Sequence, residues 1–126
     1  MPTTETLERF IARVEQGAHA EAIAEFYTAD GSMQENLTPP RFGRDALVAH
    51  ERQVLSRVAA VRSTCVRPWL VAGDTVVVRW IFDFEWKDGT QSRLEELAYQ
   101  RWQGEQIAQE QFFYDPAQFK PRPRQV

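Results

Sequence analysis

The sequence predicts an α+β fold, with about three helices packed inside a strongly curved, mixed but mainly antiparallel sheet. Two observations carry this. Apolar residues recur at helical spacing through most of the first half and alternate at strand spacing in the second. Turn signals at Gly73-Asp74, Lys87-Asp88-Gly89-Thr90 and Gln103-Gly104-Glu105 separate the alternating runs, so these form a meander of hairpins. Helices in one half and hairpins in the other make an α+β chain. A sheet that curves around helices leaves a cone with an open mouth, where pockets commonly form.

The elements follow in order. Thr4-Glu5-Thr6 supplies capping chemistry and an early acid for a first helix. Leu7, Phe10, Ile11 and Val14 form its apolar stripe, and Gly17 ends it. A second helix is expected over Ala20–Tyr27, with Ala22, Ile23 and Phe26 inward. Asp30-Gly31 reads as a turn and Ser32–Leu37 as a short strand. The prolines of Thr38-Pro39-Pro40-Arg41 make a loop, since proline cannot donate to a sheet ladder. A third helix is expected over Asp45–Val58. Ser63–Ala72 reads as a strand in which Pro68 marks an edge or a bulge. Thr75–Trp86 is a long strand. Val76, Val78, Trp80, Phe82, Phe84 and Trp86 lie on one face, and Val77, Arg79, Ile81, Asp83 and Glu85 on the other. Ser92–Trp102 and Gln106–Tyr114 complete the sheet. Lys120-Pro121-Arg122-Pro123-Arg124 is expected to be a frayed end.

A chain of 126 residues is one domain with a single core, and 43% hydrophobic residues are enough to fill it. The domain is expected to span 1–126, with its core over about 5–118. The net charge of −3 argues against nucleic acid, whose phosphates need a basic patch. No apolar run reaches bilayer length, and the start lacks the pattern of a signal peptide. The single Cys65 excludes an internal disulfide framework and reads as a small strand residue. A cytoplasmic setting is the expectation. No cofactor or metal is implied: there is no Gly-rich phosphate loop and no nucleophile elbow, and His19 and His50 lack ligand spacing.

Glu35 is the leading candidate for chemistry. Walled by Met33, Leu37 and aromatics, its carboxyl would have a raised pKa and could exchange a proton near neutral pH. The alternative is an acid paired with Arg41 or Arg44 at the surface. Glu110, Phe112 and Tyr114 share a strand face. Facing in, they bring a carboxylate and a phenol together between apolar walls; facing out, they belong to a dimer surface. Tyr27, Tyr114 and Asn36 are the donors able to orient a substrate oxygen. Phe10, Val14, Met33, Trp80 and Phe82 are candidate walls for a flat, apolar ligand. His50 is either a packing residue or a lining one. Arg79, Asp83 and Glu85 around Val77 and Ile81 suit the rim of a homodimer interface on the outer sheet face.

Several of these segments resemble the nuclear transport factor 2-like superfamily, which includes ketosteroid isomerases and SnoaL-like polyketide cyclases. They are the helix pair, Phe26-Tyr27 with Asp30-Gly31, Met33-Gln34-Glu35-Asn36, the Gly43-Arg44 entry to the third helix, and Gln111-Phe112-Phe113-Tyr114-Asp115-Pro116. The resemblance implies the cone fold over roughly residues 5 to 118. It puts the isomerase's proton-shuttling acid on Glu35. It puts the isomerase's two oxyanion donors, a tyrosine and a protonated aspartic acid, on Phe10 and near Ala98, where neither side chain can donate. That departure argues against steroid isomerisation. The cyclases' acid at the end of the last strand points to Asp115, which could equally cap a turn. The expectation is a small-molecule pocket protein. Either it performs cofactor-free isomerisation, cyclisation or dehydration of an apolar carbonyl compound, or it binds a ligand or a second copy without catalysis.

Overall fold

The computed structural model describes residues 1–123. Helix α1 spans Thr4–Glu15, and Thr3 caps it by accepting the Thr6 N–H at 3.1 Å. This satisfies one of the free donors of the first turn. Its stripe of Leu7, Phe10, Ile11 and Val14 is buried. Gly17, at φ 81°, closes the helix end in a conformation that a side chain would disfavour. Helix α2 spans His19–Phe26.

Strand β1 runs over Tyr27–Glu35, so it begins earlier than the expected Ser32. Tyr27 belongs to this strand and not to α2. Asp30-Gly31 is a bulge inside β1 and not a turn between elements: the register with β6 shifts between Tyr27 and Ser32. Gly31 is needed there, because a Cβ would stand 3.1 Å from the Thr28 carbonyl and 3.3 Å from that of Ile107. The chain continues through β2 (Arg41–Phe42) and α3 (Arg44–Leu55). Val58, expected at the end of the third helix, opens β3 (Val58–Ala72). Strands β4 (Thr75–Trp86), β5 (Thr90–Gln103) and β6 (Gln106–Phe113) follow, then a 3-10 turn at Pro116–Phe119 and β7 (Arg122–Pro123).

The strand order is β2-β1-β6-β5-β4-β3, with β7 on β5. Only the β1–β6 pair is parallel among the described residues. Pro68 sits on the edge strand β3, where the register shifts between Val66 and Leu70. The inner face of β4 is buried from Val76 to Trp86 in strict alternation. Each such side chain contributes about 1.5–3 kcal/mol of burial. Cys65 is buried and free. The tail expected to fray pairs instead at Arg122–Pro123 with Gln91 and Thr90. The Arg124 part of that expectation lies outside the described residues. Among the described residues, no helix is long and apolar enough to cross a membrane.

Candidate functional site

The curved sheet and the three helices enclose a half-open cavity of about 380 Å³. Strand period decides which side chains reach it. From β4 come Trp80, Phe82 and Phe84; from β5, Leu94 and Glu96; from β6 and its exit, Glu110, Phe112 and Tyr114. β1 adds Met33 and Glu35, and β2 adds Arg41. The helices add Phe10, Val14, His19, Ile23, His50 and Glu51. The Glu110–Phe112–Tyr114 face therefore points inward.

Four expected site residues do not line the cavity. Tyr27 is fully buried behind it, and its hydroxyl donates to Glu110 Oε1. Asn36 adopts φ 51°, a left-handed turn that asparagine tolerates, and ends β1. Its Oδ1 accepts the Tyr114 N–H at 3.0 Å, so it positions Tyr114. Ala98 is sealed within the sheet core. Asp115 is exposed and caps the 3-10 turn, accepting the Ala117 N–H at 3.0 Å.

Glu96 is the residue that sequence reasoning missed. It lies two positions before Ala98, hence on the same face of β5, and pairs in register with Trp80. It is 8% exposed. No described residue hydrogen-bonds its carboxyl. Burial, reinforced by the charges of Glu110, Glu35 and Glu51, pushes it up to about 8. At neutral pH it is a protonated acid facing the cavity. Its neighbour Glu95 faces out. Two consecutive glutamates on an alternating strand must put one on each face, and that was the available signal.

Tyr114 stands one residue past the Leu97–Phe113 pair, beside Glu96, with Glu35 near it on β1. Burial, then the Glu35 charge and hydrogen bond, hold its phenol at about 12. It therefore keeps its proton and can donate. The cavity thus presents two protonated oxygens, on Glu96 and Tyr114, beside the Glu35 carboxyl.

A polar layer underlies this group. Gln100 Nε2 donates to Glu110 Oε2 at 2.7 Å, and the Trp102 indole donates to Gln100 Oε1 at 3.0 Å. Burial raises the Glu110 pKa, while the bonds from Tyr27 and Gln100 act against that rise. On the helix side, His19 Nε2 is 2.8 Å from the Ser63 hydroxyl, and Nδ1 is 3.6 Å from the Glu51 carboxylate. Arg41 donates to His50 Nε2 at 3.0 Å; arginine has no acceptor, so His50 accepts. Glu35 is not in the surface ion pair with Arg41 or Arg44 that was its alternative: Arg44 donates to the Tyr27 carbonyl at 3.3 Å, and Arg41 is turned to His50. Among the described residues, no group of three His, Cys, Asp or Glu side chains is arranged to hold a metal ion.

The sequence profile of the SnoaL-like domain family matches residues 7–110. No curated protein sequence matches the chain. Among solved structures, a hypothetical protein with a ketosteroid isomerase-like fold from Catenulispora acidiphila, in complex with trimethylamine, superposes with a TM-score of 0.77 at 20% identity, over 93% of this chain and 90% of that one. An NTF2-like protein of unknown function from Burkholderia pseudomallei gives 0.75 at 15% identity, over 90% of each chain. A SnoaL-like protein from Mesorhizobium loti gives 0.74 at 22% identity, over 90% of this chain and 100% of that one. At these identities the likeness establishes the fold and no activity.

Proposed function

The chain belongs to the SnoaL-like domain family, and on that premise we propose that its cavity is the site of cofactor-free proton transfer on an apolar carbonyl compound. The observation that carries this is Glu96, a buried and unpartnered acid that shares the cavity with Glu35 across Tyr114. Such chemistry needs one group to accept a proton from carbon and another to neutralise charge growing on the carbonyl oxygen. Glu35 accepts the proton, and the C–H electron pair passes to the enolate. Glu96 hydrogen-bonds its oxygen, Tyr114 turns its one proton from Glu35 to the same oxygen once Glu35 is protonated, and return of the proton at a second atom completes an isomerisation. The oxyanion donors missing at Phe10 and near Ala98 are supplied in this reading by Glu96, one pleat along β5. Trp80, Phe82 and Phe112 exclude water, which strengthens those contacts.

We further propose a homodimer through the outer sheet face. Leu97, Tyr99 and Phe113 are each more than two-fifths exposed there, and Leu97 pairs in register with both Phe113 and Arg79. A cytoplasmic setting fits the free thiol of Cys65.

The test is hydrogen exchange at the α-carbon of a panel of apolar ketones in deuterated water. The native chain is expected to accelerate exchange for at least one ketone. Glu35→Gln is expected to lower that rate about a hundredfold or more, the usual worth of a general base. A ketone that binds without accelerated exchange would support the non-catalytic binding reading instead.

A further inference from the structure

The cavity holds more acids than guanidiniums. Four carboxyls line it, Glu35, Glu51, Glu96 and Glu110, against the guanidiniums of Arg41 and Arg57. Arg57 is exposed at the rim, and Arg41 is turned to His50 and Met33. The most buried of the four acids is Glu110, at 4% exposure. One of its hydrogen bonds has a fixed direction. The Trp102 indole can only donate, so Gln100 Oε1 accepts and the Gln100 amide N–H faces Glu110. Tyr27 donates to the other oxygen. Both Glu110 oxygens are thus held by neutral groups, burial pushes its pKa up, and no cation is paired to it among the described residues, so a cation seated beside it would offset the burial that opposes its ionisation. Glu96, nine-tenths buried and unpartnered, faces the same space.

The walls supply a complementary field. Trp80 and Phe82 stack at 5.5 Å, and Phe10 of α1 lines the same cavity. Aromatic faces carry partial negative charge and attract organic cations, more strongly when water is excluded. A hydrated metal ion or a neutral hydrocarbon would use only half of this lining; an alkylammonium group uses both the carboxylate and the rings.

We propose that the compound occupying the cavity carries a basic nitrogen, seated at the Glu110 floor against the aromatic wall, with its carbonyl toward Glu96 and Glu35. This rests on the cavity being a small-molecule site, narrows the apolar carbonyl compound of that reading to one that also bears an amine, and is independent of whether Glu35 catalyses.

The experiment compares two probes by isothermal titration. One is a methyl ketone joined by a propyl chain to a trimethylammonium group; the other is its carbon isostere, ending in a tert-butyl group. The ammonium ketone is expected to bind the native chain at least tenfold more tightly, and Glu110→Gln is expected to remove that preference. Equal binding, or tighter binding of the tert-butyl ketone, would overturn the inference and leave the cavity itself standing. Binding of neither probe would overturn the inference and the small-molecule reading together. A preference that survives Glu110→Gln would overturn the seat at Glu110. Should Glu110→Gln fail to fold, the comparison in the native chain decides the matter alone.

Discussion

Glu96 carries the sharpest consequence at the residue scale. Ionising it in the folded chain sets a buried charge near Glu110, Glu35 and Glu51, so its pKa rises from 4.5 to about 8. The folded state therefore holds a proton that the unfolded state releases. The stability linked to that proton is fully present below pH 4.5 and is lost as pH rises toward 8. Glu96→Gln removes the cost of holding the proton. At pH 8 it is expected to raise stability by about 1–3 kcal/mol, since each pKa unit is worth about 1.4 kcal/mol and the coupling to three other acids spreads the effect. Urea unfolding at pH 5 and pH 8 checks this: the gain should appear at the higher pH and shrink at the lower. At this same scale the sequence was only partly legible. Glu35 was reached through its apolar neighbours and the resemblance, while strand alternation put Glu110, Phe112 and Tyr114 on one face without deciding which side that face takes. Glu96 was missed because counting from a resemblance landed on Ala98, and a two-residue offset preserves the face while changing the chemistry.

At the scale of elements, the segment after β6 closes one end of the cavity. Phe119 packs edge-on against Phe84 at 5.7 Å and Trp86 at 5.6 Å. The Trp86 indole donates to the Ser92 hydroxyl, and that hydroxyl donates to the Phe119 carbonyl at 3.0 Å. Gln118 Oε1 accepts the Glu95 N–H at 3.1 Å, which ties the segment to the strand that carries Glu96. Phe119→Ala removes a half-buried ring with two aromatic partners. It is expected to cost about 1–3 kcal/mol, less than a fully buried phenylalanine, and to weaken binding of any cavity ligand. Thermal denaturation and ligand titration of the variant check both effects. The alternation of β4 and the turn signals at Gly73, Gly89 and Gly104 made the meander readable in advance. The tail was not readable, because its prolines and basic residues outweighed one aromatic anchor. Asp30-Gly31 misled in the opposite sense. Turn chemistry in the sequence became a bulge within a strand, since both need the same backbone freedom.

For the whole molecule, the two faces of one sheet differ in character. The inner face builds the cavity. The outer face leaves Leu97, Tyr99 and Phe113 exposed amid Arg79, Asp83 and Arg93, a pattern of apolar centre and charged rim. Leu97→Glu places a charge at that centre. It is expected to convert a dimer into a monomer in sedimentation while leaving ligand binding intact, because strand alternation keeps position 97 out of the cavity. A native chain already monomeric at high concentration would remove the dimer from the description. The fold class followed from the periodicity, which records burial directly. The chemistry proposed for the cavity did not, because it depends on which polar side chains stand without partners, and only packing reveals that.

The most direct measurement is a carboxyl titration by carbon NMR on the native chain, with Glu96→Gln used to assign the signal. The result expected is a buried glutamate that titrates near pH 8 and shifts downward in Glu35→Gln, because the Glu35 charge helps hold the proton in place. A Glu96 signal that titrates in the ordinary carboxylate range, roughly pH 4–5, would contradict a protonated donor in the cavity and with it the proposed proton transfer.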